Sequence, residues 1–175
     1  MKIGLIRHFP VKHPFLKGWV RQSEMLNWFN AYNSAPVKES AIEISPDWQR
    51  CYSSQLPRAV TTATLIFSGH VEQSEFLNEP GPFKIFKKDV RLPFLAWAIL
   101  IRWAIHRSWS KTHGRAGIEI RIRQFMQQVK NEDENILIVS HALVMEILSN
   151  YLIQQGFRGR KLTNPKNGVL HIFDK

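Results

Sequence analysis

One cysteine, Cys51, occurs in 175 residues. That scarcity excludes an internal disulfide framework and any zinc site built from several thiolates. Acidic side chains are also few: 14 Asp and Glu stand against 24 Lys and Arg, a formal net charge of +10. The favoured partner is therefore anionic, and nucleic acid, an acidic membrane face and a small phosphorylated substrate all qualify. Long uncharged apolar runs are missing. The most apolar segment, LPFLAWAILIRWAIHRSW at 92 to 109, is broken by Arg102, His106 and Arg107, whereas a membrane span needs about 20 mostly uncharged residues. A buried or interface helix is expected there instead. The N-terminus offers too short an apolar stretch before Arg7 to match the apolar region of about 7 to 15 residues in a signal peptide, so a cytoplasmic location is expected. Low-complexity tracts, internal repeats and long linkers are absent as well, which makes one domain over 1–175 the economical reading.

What is present is patterned. KIGLI, at 2 to 6, is near-continuously apolar and suits a central strand of a parallel sheet. Met25, Trp28, Phe29 and Tyr32 recur at helical spacing, predicting a helix over 22–33 with Ser23 as its N-cap. QRCYS at 49–53 reads as a strand, LPRAVTTATLIF at 56–67 as a helix with Pro57 in its first turn, and VEQSEF at 71–76 as a third strand. After a loop with Pro80, Gly81 and Pro82 comes the tryptophan-rich helix over 92–109. Ile118, Ile122, Phe125, Met126 and Val129 mark a further helix. NILIVS at 135–140 is the plainest strand, followed by a helix striped by Val144, Ile147, Leu148, Tyr151 and Leu152; GVLHIF at 168–173 closes the sheet. Strands alternating with helices predict a three-layer α/β/α sandwich on a mostly parallel sheet.

In such sheets ligands sit beyond the carboxyl ends of the strands. Three predicted strand ends carry unusual polar residues: Arg7-His8 after the first, SSQLPR leading to Arg58 after the second, and Ser140-His141 after the fourth. Each alone has a simpler account as a surface ion-pair partner, a capping histidine or a solvated helix face. Their joint occurrence at strand-to-helix junctions points to one anion site.

These segments resemble the histidine phosphatase superfamily, also called phosphoglycerate mutase-like. LIRHFP resembles its Arg-His-Gly signature, SSQLPRAVTTA its Ser-Ser-x-x-x-Arg-Ala-x-x-Thr-Ala block, and IVSHALVM its second histidine segment. The resemblance implies that His8 is the nucleophile of a phosphohistidine mechanism. It also implies that Arg7, Arg58 and His141 bind the phosphoryl group, and that a carboxylate after the third strand is the general acid and base. Glu79 is the best match, with Glu75, Glu72 and Asp89 as alternatives. The chain is shorter than mutases of the family, which favours hydrolysis of phosphomonoesters over transfer. Two departures stand out: Phe9 replaces a glycine, with the expectation that it narrows the pocket or tilts His8, and Ala142-Leu143 replace glycines after His141.

The residue types suit that chemistry on their own terms. Attack on phosphorus requires a neutral imidazole, and two guanidinium groups near His8 disfavour its protonation. The same arginines donate bidentately to phosphate oxygens. His141 and the amide of Ala142 at a helix start add donors for an anion. Neither a metal nor another cofactor is called for. The expected partner is a small phosphorylated substrate or a phosphoprotein.

Competing readings are weaker. Six residues separate Cys51 from Arg58, one too many for a cysteine-phosphatase loop, and Cys51 lies in an apolar strand. Lys84, Lys87, Lys88, Arg91, Arg102, Arg107, Lys111 and Arg115 form no nucleic-acid motif and read as a solvated basic face, so no nucleic acid is expected. The alternative function is a basic binding module on a phosphatase-like fold. Trp97, Trp103 and Trp109 within 92–109 would serve membrane-surface contact, a homodimer interface, or a core helix that roofs the site. Lys12, His13, Trp19 and Arg21, in a loop over 11–22, are candidates for contacting the rest of a substrate.

Overall fold

The computed structural model describes residues 1–40, 42, 44–45, 47–81, 85–106, 114–129 and 134–175, with the side chains at 102, 105 and 106 outside that description. Lys84, Arg107, Trp109, Lys111 and Pro82, all singled out above, lie outside the described residues.

Five strands form the central sheet. In chain order these are β1 (Lys2–Arg7), β3 (Arg50–Ser54), β4 (Val71–Ser74), β6 (Ile136–Ser140) and β7 (Leu170–Asp174), arranged β4-β3-β6-β1-β7. All pairs are parallel except β1 with β7. Parallel central strands are covered on both faces, which is why KIGLI and ILIVS carry almost no polar residue. Ile3 and Leu5 point to one face with Ile136 and Ile138, and pack on α4 (Arg115–Val129) and α5 (Ala142–Gln154). Ile6, Leu137 and Val139 point to the other, against Ala59 and Ala63 of α2 (Pro57–Ile66) and Trp48. The layers are thus helix, sheet, helix, as the alternation of elements predicts. Gly4 keeps β1 thin where a Cβ would meet the Trp48 ring at 2.8 Å and Leu137 and Leu170 at 3.0 Å.

Four details differ from the sequence expectations. The segment over 11–22 is not all loop: Trp19–Arg21 forms β2, antiparallel to β5 (Arg91–Pro93). These strands are three residues each and 72 positions apart, too short to show alternation. The helix expected over 92–109 is α3, Phe94–His106, because 92 and 93 belong to β5, while 107–109 lie outside the described residues. α1 (Gln22–Ser34) is not capped by Ser23, whose N–H and hydroxyl both bond to Asp89; its entry is closed by the Arg21 N–H donating to Glu24 Oε2 at 2.6 Å. β4 ends at Ser74, and Glu75–Leu77 makes a 3₁₀ turn that buries Leu77.

A separate apolar cluster joins β2, α1 and α3 through Val20, Met25, Trp97 and Ile101. α3 is therefore two-faced, with Trp97 buried while Leu95 and Ile99 are more than two-thirds exposed. Among the described residues no helix is long and apolar enough to cross a membrane.

Candidate active site

The parallel ladder explains why distant residues meet. Arg7 pairs with Ser140 and Ser53 with Val139, so the carboxyl ends of β1, β6 and β3 lie side by side. The His8 N–H extends the ladder by one bond, donating to Ser140 O at 3.0 Å. His8 and His141 consequently face each other, with ring centroids 5.2 Å apart. Arg58, in the first turn of α2, reaches in from the third strand end, and Pro57 sits beside it where its missing N–H costs nothing.

His8 is fixed in one tautomer. Its Nδ1 bonds to Phe9 O at 2.7 Å, and a carbonyl only accepts, so Nδ1 carries the proton. Nε2 is left with its lone pair and accepts from Arg58 Nε at 3.2 Å. Burial first, then the charges of Arg58 and Arg7, lower the His8 pKa to about 3 against the raising effect of the Phe9 bond, which leaves a neutral imidazole.

His141 is fully buried. Its Nε2 lies 2.8 Å from Ser54 Oγ, whose hydroxyl donates to Asn78 Oδ1, so Nε2 is the donor to Ser54 and Nδ1 is bare. That Nδ1 has no hydrogen-bond partner and lies 3.7 Å from Glu79 Oε2. Burial, then Arg58, His8 and Arg7, hold His141 well below the ordinary imidazole range.

Glu79 stands just past the 3₁₀ turn. Its Oε2 accepts from Arg58 Nη2 at 3.3 Å and lies 3.7 Å from the bare Nδ1 of His141; a phosphate oxygen in its place would gain the guanidinium as a donor, and the imidazole too once Nδ1 is protonated. Desolvation outweighs the pull of Arg58 and Arg7 and raises its carboxyl above the usual range. The alternatives are elsewhere. Glu72 pairs with Arg50 at 2.6 Å, Glu75 is exposed, and Asp89 holds Ser23 at the start of α1. Of these four carboxylates, Glu79 is the one that the turn after β4 brings to Arg58 and His141.

Arg7 donates from Nη1 to Pro165 O at 3.0 Å and lines a cavity of about 410 Å³ together with Glu79 and Ala142. The Ala142 amide is in the first turn of α5, where no helix carbonyl reaches it. Phe9 does not narrow this cavity. Its ring is buried outside the cavity lining and over Gly168, whose φ of +67° favours glycine and where a Cβ would come within 3.1 Å of that ring. Its N–H donates to Thr62 Oγ1 at 2.9 Å, and that hydroxyl donates to Arg58 O at 2.7 Å. Of the loop candidates, His13 packs on Trp28, Trp19 and Arg21 lie in β2, and Lys12 donates its N–H to Pro36 O; none lines the cavity, whereas Phe15 does.

Several positioning residues escape sequence reasoning. Asn33 Oδ1 accepts from Arg58 Nη1 at 2.7 Å, and Asn167 donates to His8 O at 2.6 Å. Neither sits in a motif. Ser54 and Thr62 do, inside SSQLPRAVTTA, and that block is the signal that points to them. Cys51 is buried in β3 with its thiol pushed up to about 12, which removes the thiolate that a cysteine mechanism needs. Among the described residues no group of three or more His, Cys, Asp or Glu is placed to hold a metal ion.

The arrangement can hold an anion, present a neutral imidazole to it and keep beside it a carboxyl group whose pKa is raised. Known structures share the fold. The chain is similar to a mycobacterial glucosyl-3-phosphoglycerate phosphatase solved with VO3 (TM-score 0.57, 14% identity, covering 98% of this chain and 91% of that one). It is similar to a phosphoserine phosphatase from Entamoeba histolytica solved with 3-phosphoglyceric acid (0.55, 17%, 98% and 89%). A phosphoglycerate mutase from Bacillus anthracis str. Sterne matches at 0.55, with 18% identity over 98% of this chain and 86% of that one. Identities this low establish the fold alone. No curated protein matches the chain at a significant level. The family model of the histidine phosphatase superfamily (branch 1) matches residues 42–174, a span that holds Arg58, Glu79 and His141 while Arg7 and His8 precede it. On that match, the chain belongs to the histidine phosphatase superfamily, branch 1.

Proposed function

We propose that the chain is a phosphomonoester hydrolase working through a phosphohistidine on His8. One observation carries the reading: His8 is held neutral with Nδ1 bonded to Phe9 O and the Nε2 lone pair 3.2 Å from Arg58, the group suited to grip phosphate. Membership of the superfamily supports phosphoryl chemistry, and two of the structural relatives are named as phosphatases.

In the first step Nε2 forms a bond to phosphorus as the ester P–O bond breaks. Arg7, Arg58 and the Ala142 amide take up the charge spread over the remaining oxygens, and the anion's charge favours a proton on the bare Nδ1 of His141, which then donates to it as well. Bringing a phosphate in displaces Glu79 from Arg58, and the freed carboxylic acid gives its proton to the leaving alkoxide. As a carboxylate it then removes a proton from water, whose oxygen attacks phosphorus. The P–N bond breaks, inorganic phosphate leaves and His8 is neutral again. No step calls on a metal ion.

A panel of small phosphomonoesters incubated with the wild type and with His8→Ala tests the proposal. The wild type is expected to release phosphate and the variant to lose about a thousandfold or more in kcat. Equal turnover by both removes His8 from the chemistry.

A further inference from the structure

The cavity beside the anion cluster has two unlike ends. Arg7, Glu79 and Ala142 form one; the other is walled by Phe15, Met25, Trp28, Phe29, Phe94 and Trp97. At about 410 Å³ it falls within the range of about 300 to 1,000 Å³ typical of small-molecule sites. Both indole N–H groups on this wall are turned away, Trp28 donating to Pro14 O at 2.7 Å and Trp97 to Val20 O at 2.8 Å. Glu146, which also lines the cavity, accepts from the Asn164 N–H at 2.8 Å. Among the described residues the aromatic wall therefore presents carbon. Trp28 is also locked, stacked on Phe15 and Tyr32 and met edge-on by Phe29 and Phe94, so the wall needs little ordering to receive a ligand.

A sugar hydroxyl, a carboxylate or an ammonium group placed there would leave water without gaining a partner. An apolar body would gain by the same transfer. We infer that the substrate is a phosphomonoester of a bulky apolar alcohol, its phosphate among His8, Arg58 and His141 and its carbon body against the aromatic wall. This rests on the hydrolase reading above. It also sets the chain apart from proteins named for phosphoserine, phosphoglycerate or glucosyl-3-phosphoglycerate, whose compounds are polar throughout.

The test compares kcat/KM for naphthylethyl phosphate and decyl phosphate with that for phosphoserine and glucose 6-phosphate. All four leave as primary alkoxides, so leaving-group ability does not bias the comparison. Each apolar ester is expected to exceed each polar one by about tenfold or more, the scale on which one misfitting group discriminates. A lead for naphthylethyl phosphate assigns the body as a ring, a lead for decyl phosphate as a chain. Ala98, on the cavity wall at an exposed helix position, supplies the variant. In Ala98→Trp, which fills the space, the apolar-to-polar ratio is expected to collapse. Polar esters turned over as well as apolar ones, or a ratio unmoved in Ala98→Trp, overturns this inference while His8-dependent hydrolysis still stands. If no ester is hydrolysed, or His8→Ala hydrolyses them all equally, the hydrolase reading falls and takes this inference with it.

Discussion

The two nitrogens of His8 are divided between Phe9 O and Arg58 Nε, and this division has a consequence in pH. With its pKa lowered to about 3, His8 is already neutral throughout the range above about pH 4. Its titration therefore contributes no acidic limb there to kcat for a substrate whose own ionisation is accounted for. The limb is expected on the alkaline side, because the raised carboxyl of Glu79 must be protonated to serve the leaving group and loses that proton as pH rises. In Glu79→Gln, kcat is expected to fall by about 10² to 10⁴ and the alkaline limb to vanish. A pH–rate profile that keeps its shape in this variant assigns the proton to another group. Thr62 gives a second test. Its hydroxyl is the partner of the buried Phe9 N–H, so Thr62→Val strands that donor and is expected to lower stability by about 1 to 3 kcal/mol in urea unfolding.

Strands and helices locate the site, and most of them are legible in the amino-acid order. KIGLI and ILIVS are readable as central strands because burial on both faces leaves no polar position, and Pro57 marks the helix that carries Arg58. From there the convergence of 7, 8, 58 and 141 follows from parallel pairing alone. The β2–β5 ribbon was not legible, since three residues are too few to show a period and their pairing spans 72 positions. Nor was the burial of Phe9 away from the cavity, which depends on the room that Gly168 leaves in a different element. Asn33 and Asn167 act through geometry that no spacing announces. Where an element must be thin the expectation is sharp. Gly4→Ala places a methyl 2.8 Å from Trp48 between two leucines, and the overpacking is expected to cost about 1 to 3 kcal/mol. An unchanged urea midpoint would show that Trp48 yields freely.

Taken whole, the molecule folds two imidazoles into its interior against their preference. His8 and His141 are both neutral when folded, with pKa values below that of a free imidazole. Between about pH 4 and 6.5 His8 thus binds a proton in the unfolded chain alone, which lowers stability by about 1.4 kcal/mol per unit of falling pH; His141 acts in the same direction and the raised carboxyl of Glu79 in the opposite one. His8→Asn is expected to flatten that slope by about one proton's worth in denaturation measured across this range. The net charge of +10 acts at longer reach, drawing anions toward the strand ends, so kcat/KM for a dianionic ester is expected to fall with added salt.

The catalytic expectations depend on His8 taking the phosphoryl group. The direct measurement is rapid quenching of the wild type with a phosphorus-labelled monoester under alkaline conditions, followed by mapping of the bound label. The expected result is a base-stable, acid-labile phosphoramidate on the peptide that contains His8, forming and decaying at rates compatible with turnover. Phosphate release with no such adduct at any time, or a label on any other residue, would contradict the account.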